Sequence, residues 1–244
     1  MEKILEILKD DKEYYSGIGR NYLSNSDIGA LLNNPRDFGK FREDNKALSE
    51  GRYFHQLLIE KEKALDVHHV DVSTRNTKEY KNYCETNNLQ FVMLTKEKEE
   101  VERLVSIMRS NIQFYDDIYL PVNKYEVPGI AEIGGVMWKG KTDIESDDFL
   151  IDLKTTSDIL KFRWSADAYN YDSQAFIYEA IFGKRMKFYV IDKVTGVLGI
   201  FTASESFLRR GEEKVMRAIE VYKMYFGPNP THNINDYYIQ STLN

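Results

Sequence analysis

The sequence predicts a mixed α/β domain: a helical first half, then a sheet of short strands interrupted by a helix. Three observations predict it. Up to residue 120, apolar side chains recur at helical spacing, as Val101, Leu104, Val105 and Met108 do within 95–110. From 122 the runs shorten to strand length, at 122–134, 136–145 and 148–155 and again at 184–192 and 197–203, with polar turns such as Glu145-Ser146-Asp147-Asp148 and Thr195-Gly196 between them. Between the third and fourth runs, 165–182 returns to helical periodicity. At 244 residues and 42% hydrophobic content, the chain reads as one domain over 1–244. Its parts are mainly helical to 120, sheet-bearing over 121–204, and a C-terminal helix and tail over 205–244.

Taken in order, residues 2–9 read as a short amphipathic helix with Ile4, Leu5 and Leu8 on one side. Residues 10–21, polar and holding Gly17 and Gly19, read as a loop. Ser24 or Ser26 is suited to cap a helix carrying Ile28, Leu31 and Leu32, which Asn34-Pro35 ends; Phe38 to Arg42 start another helical turn. Residues 46–64 align Leu48, Tyr53, Phe54, Leu57 and Leu58 in one stripe and also carry Arg52 and His55. By itself a lone histidine on a helix is more often a packing residue than a ligand, and Arg52 is as readily a solvated charge as a phosphate contact. Residues 74–87 form a polar helix, Thr95 caps 95–110, and a short helix reaches Ile118. Residues 205–226 form a long helix with Leu208, Val215 and Ile219 inward, and the tail from Gly227 lacks periodicity.

The chemistry concentrates in Gly140-Lys141-Thr142-Asp143 and in Phe149-Leu150-Ile151-Asp152-Leu153-Lys154-Thr155-Thr156. Phe, Leu and Ile around Asp152 describe a buried strand, where charge is rare unless paired or bound to metal. Asp152 and Lys154 are two apart and share a face. The short polar turn makes an antiparallel hairpin that brings Asp143 beside Asp152. Two converging carboxylates make a hard-oxygen site suited to Mg²⁺ or Mn²⁺, and a neighbouring lysine orients or activates water and stabilises charge on a phosphate. The preceding strand carries Glu126 and Glu132; Glu126 either joins the metal site or is an exposed acid. Gln174 and Tyr178, four apart, share a helical face.

Asp143 followed by Asp152-Leu153-Lys154 resembles the signature of the PD-(D/E)xK nucleases, in particular the RecB-like and RecE-like branch that includes phage exonucleases. Gly140 to Asp143, Asp152 to Thr155, Gln174 to Tyr178, and His55 within Gly51-Arg52-Tyr53-Phe54-His55 each match a motif of that branch, in the same order. Thr142 stands where the family's name has proline. The resemblance covers about residues 22 to 203 and implies an αβββαβ restriction-endonuclease-like core with a helical N-terminal region. It also implies metal ligation by His55, Asp143, Asp152 and the Leu153 carbonyl, water activation by Lys154, and phosphate handling by Gln174 and Tyr178. The activity implied is 5′-to-3′ exonuclease resection of double-stranded DNA ends, feeding a single-strand annealing recombinase, with subunits in rings of three or four. A structure-specific or restriction-type endonuclease and a non-catalytic DNA- or protein-binding module are the alternatives.

Composition narrows the classes. One cysteine, Cys84, excludes a disulfide framework and an iron–sulfur cluster, and with no signal-like N-terminus it suits a reducing cytoplasm, which the resemblance implies is that of a bacterial or phage-infected cell. No apolar run is long enough to span a membrane. A net charge of −6 excludes a general basic coat, so any DNA contact is focused in a channel.

Overall fold

The computed structural model describes residues 2–40, 43–240 and 242. The chain opens with α1 (Glu2–Ile7), α2 (Asp11–Tyr15), α3 (Asn25–Asn33), α4 (Lys46–Ile59) and α5 (Lys61–Ala64). The two-residue strands β1 (His69–Val70) and β2 (Met93–Leu94) flank α6 (Lys78–Thr86), and α7 (Thr95–Ser110) and α8 (Ile112–Ile118) follow. Then come β3 (Lys124–Ile133), β4 (Val136–Glu145), β5 (Phe149–Thr156), α9 (Phe162–Ala168), α10 (Tyr171–Phe182), β6 (Arg185–Asp192), β7 (Leu198–Thr202) and α11 (Glu205–Tyr225).

Strands β3 to β7 lie side by side in chain order. All neighbours are antiparallel except β5 and β6, which are parallel. A parallel pair needs a crossover, and α9 with α10 supplies it. Alternation along β5 sorts the two cores. Leu150 points to the face covered by α3, α10 and α11, whereas Ile151 and Leu153 point to the face covered by α4, α7 and α8. A small third cluster around Tyr80, Val92 and Leu94 joins α6 to the β1–β2 pair. This is the mixed α/β architecture with a helical N-terminal part that the patterning predicts.

Gly129 and Gly140 face each other across β3 and β4. Helix α10 lies on this pair: a Cβ on Gly140 would stand 2.8 Å from the Tyr178 ring, and one on Gly129 would strike Ile181 and Phe182. The close approach lets Gln174 and Tyr178 reach the strands.

Four local expectations are corrected. Residues 10–21 are not a loop: the Asp10 side chain accepts the Glu13 N–H and starts α2, and a 3₁₀ turn covers Ile18–Asn21. The helix expected over 165–182 is two, parted at Asn170, whose backbone is left-handed at φ 59°. The helix over 46–64 breaks at Glu60. Thr95 is not the cap of α7 but its first residue: Leu94 takes the cap position, with the Glu97 carboxylate accepting the Leu94 N–H at 2.9 Å. After a 3₁₀ turn at Pro35–Asp37, Phe38 is extended; Phe41 and Arg42 of the turn expected there lie outside the described residues.

Candidate active site

The site forms where the sheet splits. Strands β4 and β5 pair only at Ile144 with Ile151 and Glu145 with Leu150, then diverge. One step further, the register sets Asp143 opposite Asp152, and the Asp143 carboxylate takes the place of a strand partner, accepting the Leu153 N–H at 2.7 Å. Further along, Leu23 fills the gap: its N–H donates to Met137 O and its carbonyl accepts from Lys139 N. On the other side, β3 pairs with β4 from Lys124–Glu145 to Ile133–Val136, but not at Glu126, which faces Asp143. Glu126 has φ 49°, a strained conformation for a side-chain-bearing residue. Glu126, Asp143 and Asp152 thus form a row across three adjacent strands.

Helix α4 brings His55 to this row from the far side. Its Nε2 lies 2.6 Å from the Leu153 carbonyl oxygen and its Nδ1 3.6 Å from Asp143 Oδ2. One ligand atom each from His55, Glu126 and Asp143 lie within 4.8 Å of one another. Donors around a Mg²⁺-sized ion stand at most about 4.2 Å apart, so a small closure seats one. Burial, with Asp143 beside it, pushes the Glu126 carboxyl up to about 8. Burial also raises Asp143, with Asp152 adding to it and His55 opposing. Two carboxyls raised in this way are the environment that a divalent cation neutralises, so the donor set fits a hard divalent metal.

Asp152 lies just outside that triad. Its Oδ1 accepts Gln174 Nε2 at 2.6 Å, and its Oδ2 sits 2.6 Å from Lys154 Nζ without a donor in hydrogen-bond geometry. Burial opposes the Lys154 ammonium, but Asp152, Tyr171 and Asp143 outweigh it and hold the lysine above its ordinary value. Lys154 is therefore a cation at neutral pH. Tyr178 donates to the Lys141 carbonyl at 3.0 Å and accepts the Lys141 N–H at 3.3 Å, so it fastens α10 to β4. Arg52 is held by Asp44, at 2.7 Å, on the surface.

The sequence reading missed the N-terminal segment. Asp11 of α2 binds the buried Lys141 at 2.7 Å and also pairs with Lys63 of α5. The Tyr14 ring lies 4.3 Å from Lys139 Nζ and 4.6 Å from Lys141 Nζ. Burial depresses Lys139 to about 8. The alternation of Lys139 and Lys141 with Gly140, which puts both lysines on one face, was the available signal.

A split antiparallel sheet with a parallel crossover strand, and acids, histidine and lysine at the split, defines the PD-(D/E)xK nuclease class. The chain belongs to the family described as "PDDEXK-like domain of unknown function (DUF3799)", which matches residues 29–227. Among solved structures it is similar to a protein of Eubacterium rectale provisionally designated an exonuclease, with 18% identity, 96% of each chain covered and a TM-score of 0.63. It also matches an alkaline exonuclease of Laribacter hongkongensis at 10% identity, covering 91% of this chain and 92% of that one, with a TM-score of 0.36. The first likeness is one of fold; the second is too distant to add weight. No curated protein gives a significant match. No described helix is long and apolar enough to cross a membrane.

Proposed function

We propose that the protein is a metal-dependent DNA exonuclease that hydrolyses phosphodiester bonds. The observation that carries this is the row Glu126, Asp143, Asp152 with His55 and Lys154 at the split between β4 and β5. His55, Asp143, Asp152 and the Leu153 carbonyl are the proposed holders of Mg²⁺ or Mn²⁺, with Glu126 beside them. A bound dication would lower the pKa of water and polarise the phosphoryl oxygen. Lys154, held protonated, donates to the attacking water and to the phosphate, orienting the first and stabilising charge on the second. Gln174 fixes the orientation of Asp152. Tyr178 supports the site by holding Lys141 and the strand that carries Asp143.

The finer reading rests on the resemblance to the RecE-like branch: 5′-to-3′ resection of double-stranded ends, a role in recombination beside an annealing protein, assembly in rings of three or four, and action in the cytoplasm of a bacterial or phage-infected cell.

The test is degradation of linear against closed circular duplex DNA, with Mg²⁺ or EDTA, by wild type and Lys154→Ala. Loss of linear DNA alone, abolished by EDTA and by the substitution, supports the exonuclease. Cutting of the circle identifies an endonuclease. DNA binding without cleavage of either form leaves a binding module.

A further inference from the structure

Lys139, Lys141 and Asp143 alternate along β4 and share one of its faces, so two lysines continue the line that begins at the acidic row. The Lys141 side chain is only 4% exposed, and a buried ammonium needs a countercharge. That countercharge comes from outside the sheet. Asp11 of α2, 44% exposed, lies 2.7 Å from Lys141 Nζ and 2.5 Å from Lys63 Nζ of α5. Among the described residues Lys141 pairs with no other carboxylate, and the Asp11 carboxylate accepts from these two lysines alone. Lys139 is in no ion pair among the described residues; its ammonium donates to the Tyr14 carbonyl and faces the Tyr14 ring.

The element that supplies Asp11 is lightly anchored. Helix α1 buries no residue, α2 is five residues long with Tyr14 as its one buried side chain, and Leu8 between them is the other apolar anchor. It also stands over the site: the Tyr15 ring centre is 5.8 Å from Lys141 Nζ, and burial of the phenol, with Glu126, Asp11 and Asp143 adding to it, pushes Tyr15 up to about 12. A strand of DNA reaching the acids therefore meets α2. A phosphate carries the charge that Asp11 supplies, on oxygens that accept from several ammonium groups at once. Two residues of strand span about 7 Å, so DNA with its scissile phosphate at Asp143 brings a neighbouring phosphate to Lys141. In a chain of net charge −6, cations focused beside the acids are what such a strand requires.

We propose that Lys141 and Lys63 form a subsite for a backbone phosphate of the DNA strand next to the scissile bond, and that the Asp11 carboxylate stands in it until DNA displaces it. Helix α2 is then a cover that competes with the substrate. The proposal rests on the nuclease reading of the acidic row.

The test is single-turnover cleavage of a short linear duplex in Mg²⁺ with the full chain in excess, reading the half-saturating protein concentration apart from the maximal rate. Asp11→Asn removes the competing charge and is expected to lower the half-saturating concentration about 3- to 10-fold at low salt, with the gain shrinking as salt rises. The gain is expected alike on 5′-phosphorylated and 5′-hydroxyl ends; a gain confined to phosphorylated ends overturns the assignment to a backbone phosphate. Lys63→Gln, a surface change that keeps the Asp11–Lys141 pair, is expected to raise the half-saturating concentration by a similar factor, and it serves as the test if Asp11→Asn does not fold. Folded variants that saturate as wild type does, or that lose maximal rate at unchanged half-saturation, make the Asp11 pairs a fastener of β4; this overturns the subsite and leaves the nuclease standing. Wild type that cleaves no DNA in Mg²⁺ or Mn²⁺ removes the nuclease reading and the subsite together.

Discussion

Glu126 faces Asp143 across the β3–β4 ladder, at the one residue of β3 whose backbone is left-handed. The strain and the repulsion fall on the same pair of carboxyls. Folding without metal therefore works against ionisation of Glu126, whose carboxyl is pushed from an ordinary 4.5 up to about 8 by burial and by Asp143.

The first prediction is a pH dependence. Between about 4.5 and about 8 the folded state holds a proton on Glu126 that the unfolded state has lost, so stability falls as pH rises through this window. In EDTA the melting temperature is expected to drop from about pH 5 to about pH 8, at about 2–4 °C per kcal/mol for a chain of this size. Glu126→Gln flattens the slope, and Mg²⁺ raises the melting point most at the alkaline end. Melting curves across that range decide it; a slope unchanged in Glu126→Gln assigns the titration to another group.

The second concerns Lys154 and Asp152, 2.6 Å apart, with Lys154 19% and Asp152 2% exposed. Removing one partner leaves the other buried without its countercharge, which costs about 3–5 kcal/mol for a fully buried pair; the partial exposure of Lys154 puts Lys154→Met nearer about 2. Asp152→Asn in the same chain is expected to restore part of that loss, which denaturant titration of the double-mutant cycle measures. Cleavage in Lys154→Met is expected to fall by about 10²–10³-fold, the usual cost of losing a charged transition-state donor.

Much of this was legible in the chain. The polar turn at residues 145–148 fixed the hairpin, and the hairpin fixed Asp143 beside Asp152. Its length could not show that the strands part after Ile144, which is what turns the Asp143 carboxylate to the Leu153 N–H. Glu126 was visible as an acid in a strand, but its choice between site and solvent depends on register with β4, a long-range property. The Asp11–Lys141 pair spans 130 positions and joins a short helix with no amphipathic pattern to a strand, so the alternation of Lys139 and Lys141 marked a charged face while no local signal pointed to its partner. Gln174 and Tyr178 were seen to share a helical face. Their different partners, a carboxylate and a strand backbone, follow from how closely α10 sits on Gly140.

That closeness gives the third prediction. Gly140→Ala puts a methyl group 2.8 Å from the Tyr178 ring, and overpacking of this kind costs about 1–3 kcal/mol. Tyr178→Phe keeps the ring and loses the two hydrogen bonds to Lys141, worth about 0.5–1.5 kcal/mol each. If Tyr178 serves only as a fastener, Tyr178→Phe retains cleavage within about tenfold per folded molecule, whereas a direct contact to the phosphate makes the loss larger, about 10²-fold. Urea titration beside the single-turnover rate separates the two.

The fourth separates ligation from stability at His55. Its side chain is 26% exposed, with Nε2 at the Leu153 carbonyl and Nδ1 3.6 Å from Asp143, so His55→Ala is expected to change stability in EDTA by less than about 1 kcal/mol. The same substitution removes the only imidazole from the triad and is expected to weaken Mn²⁺ binding by at least about tenfold, since even outer-shell changes typically cost 10–100-fold. Calorimetric titration with Mn²⁺ reads this without DNA. Equal affinity in the variant would confine His55 to packing and leave the three acids to bind the metal by themselves. A larger loss in His55→Ala than in Glu126→Gln would place the metal on the α4 side of Asp143, where the Leu153 carbonyl already points.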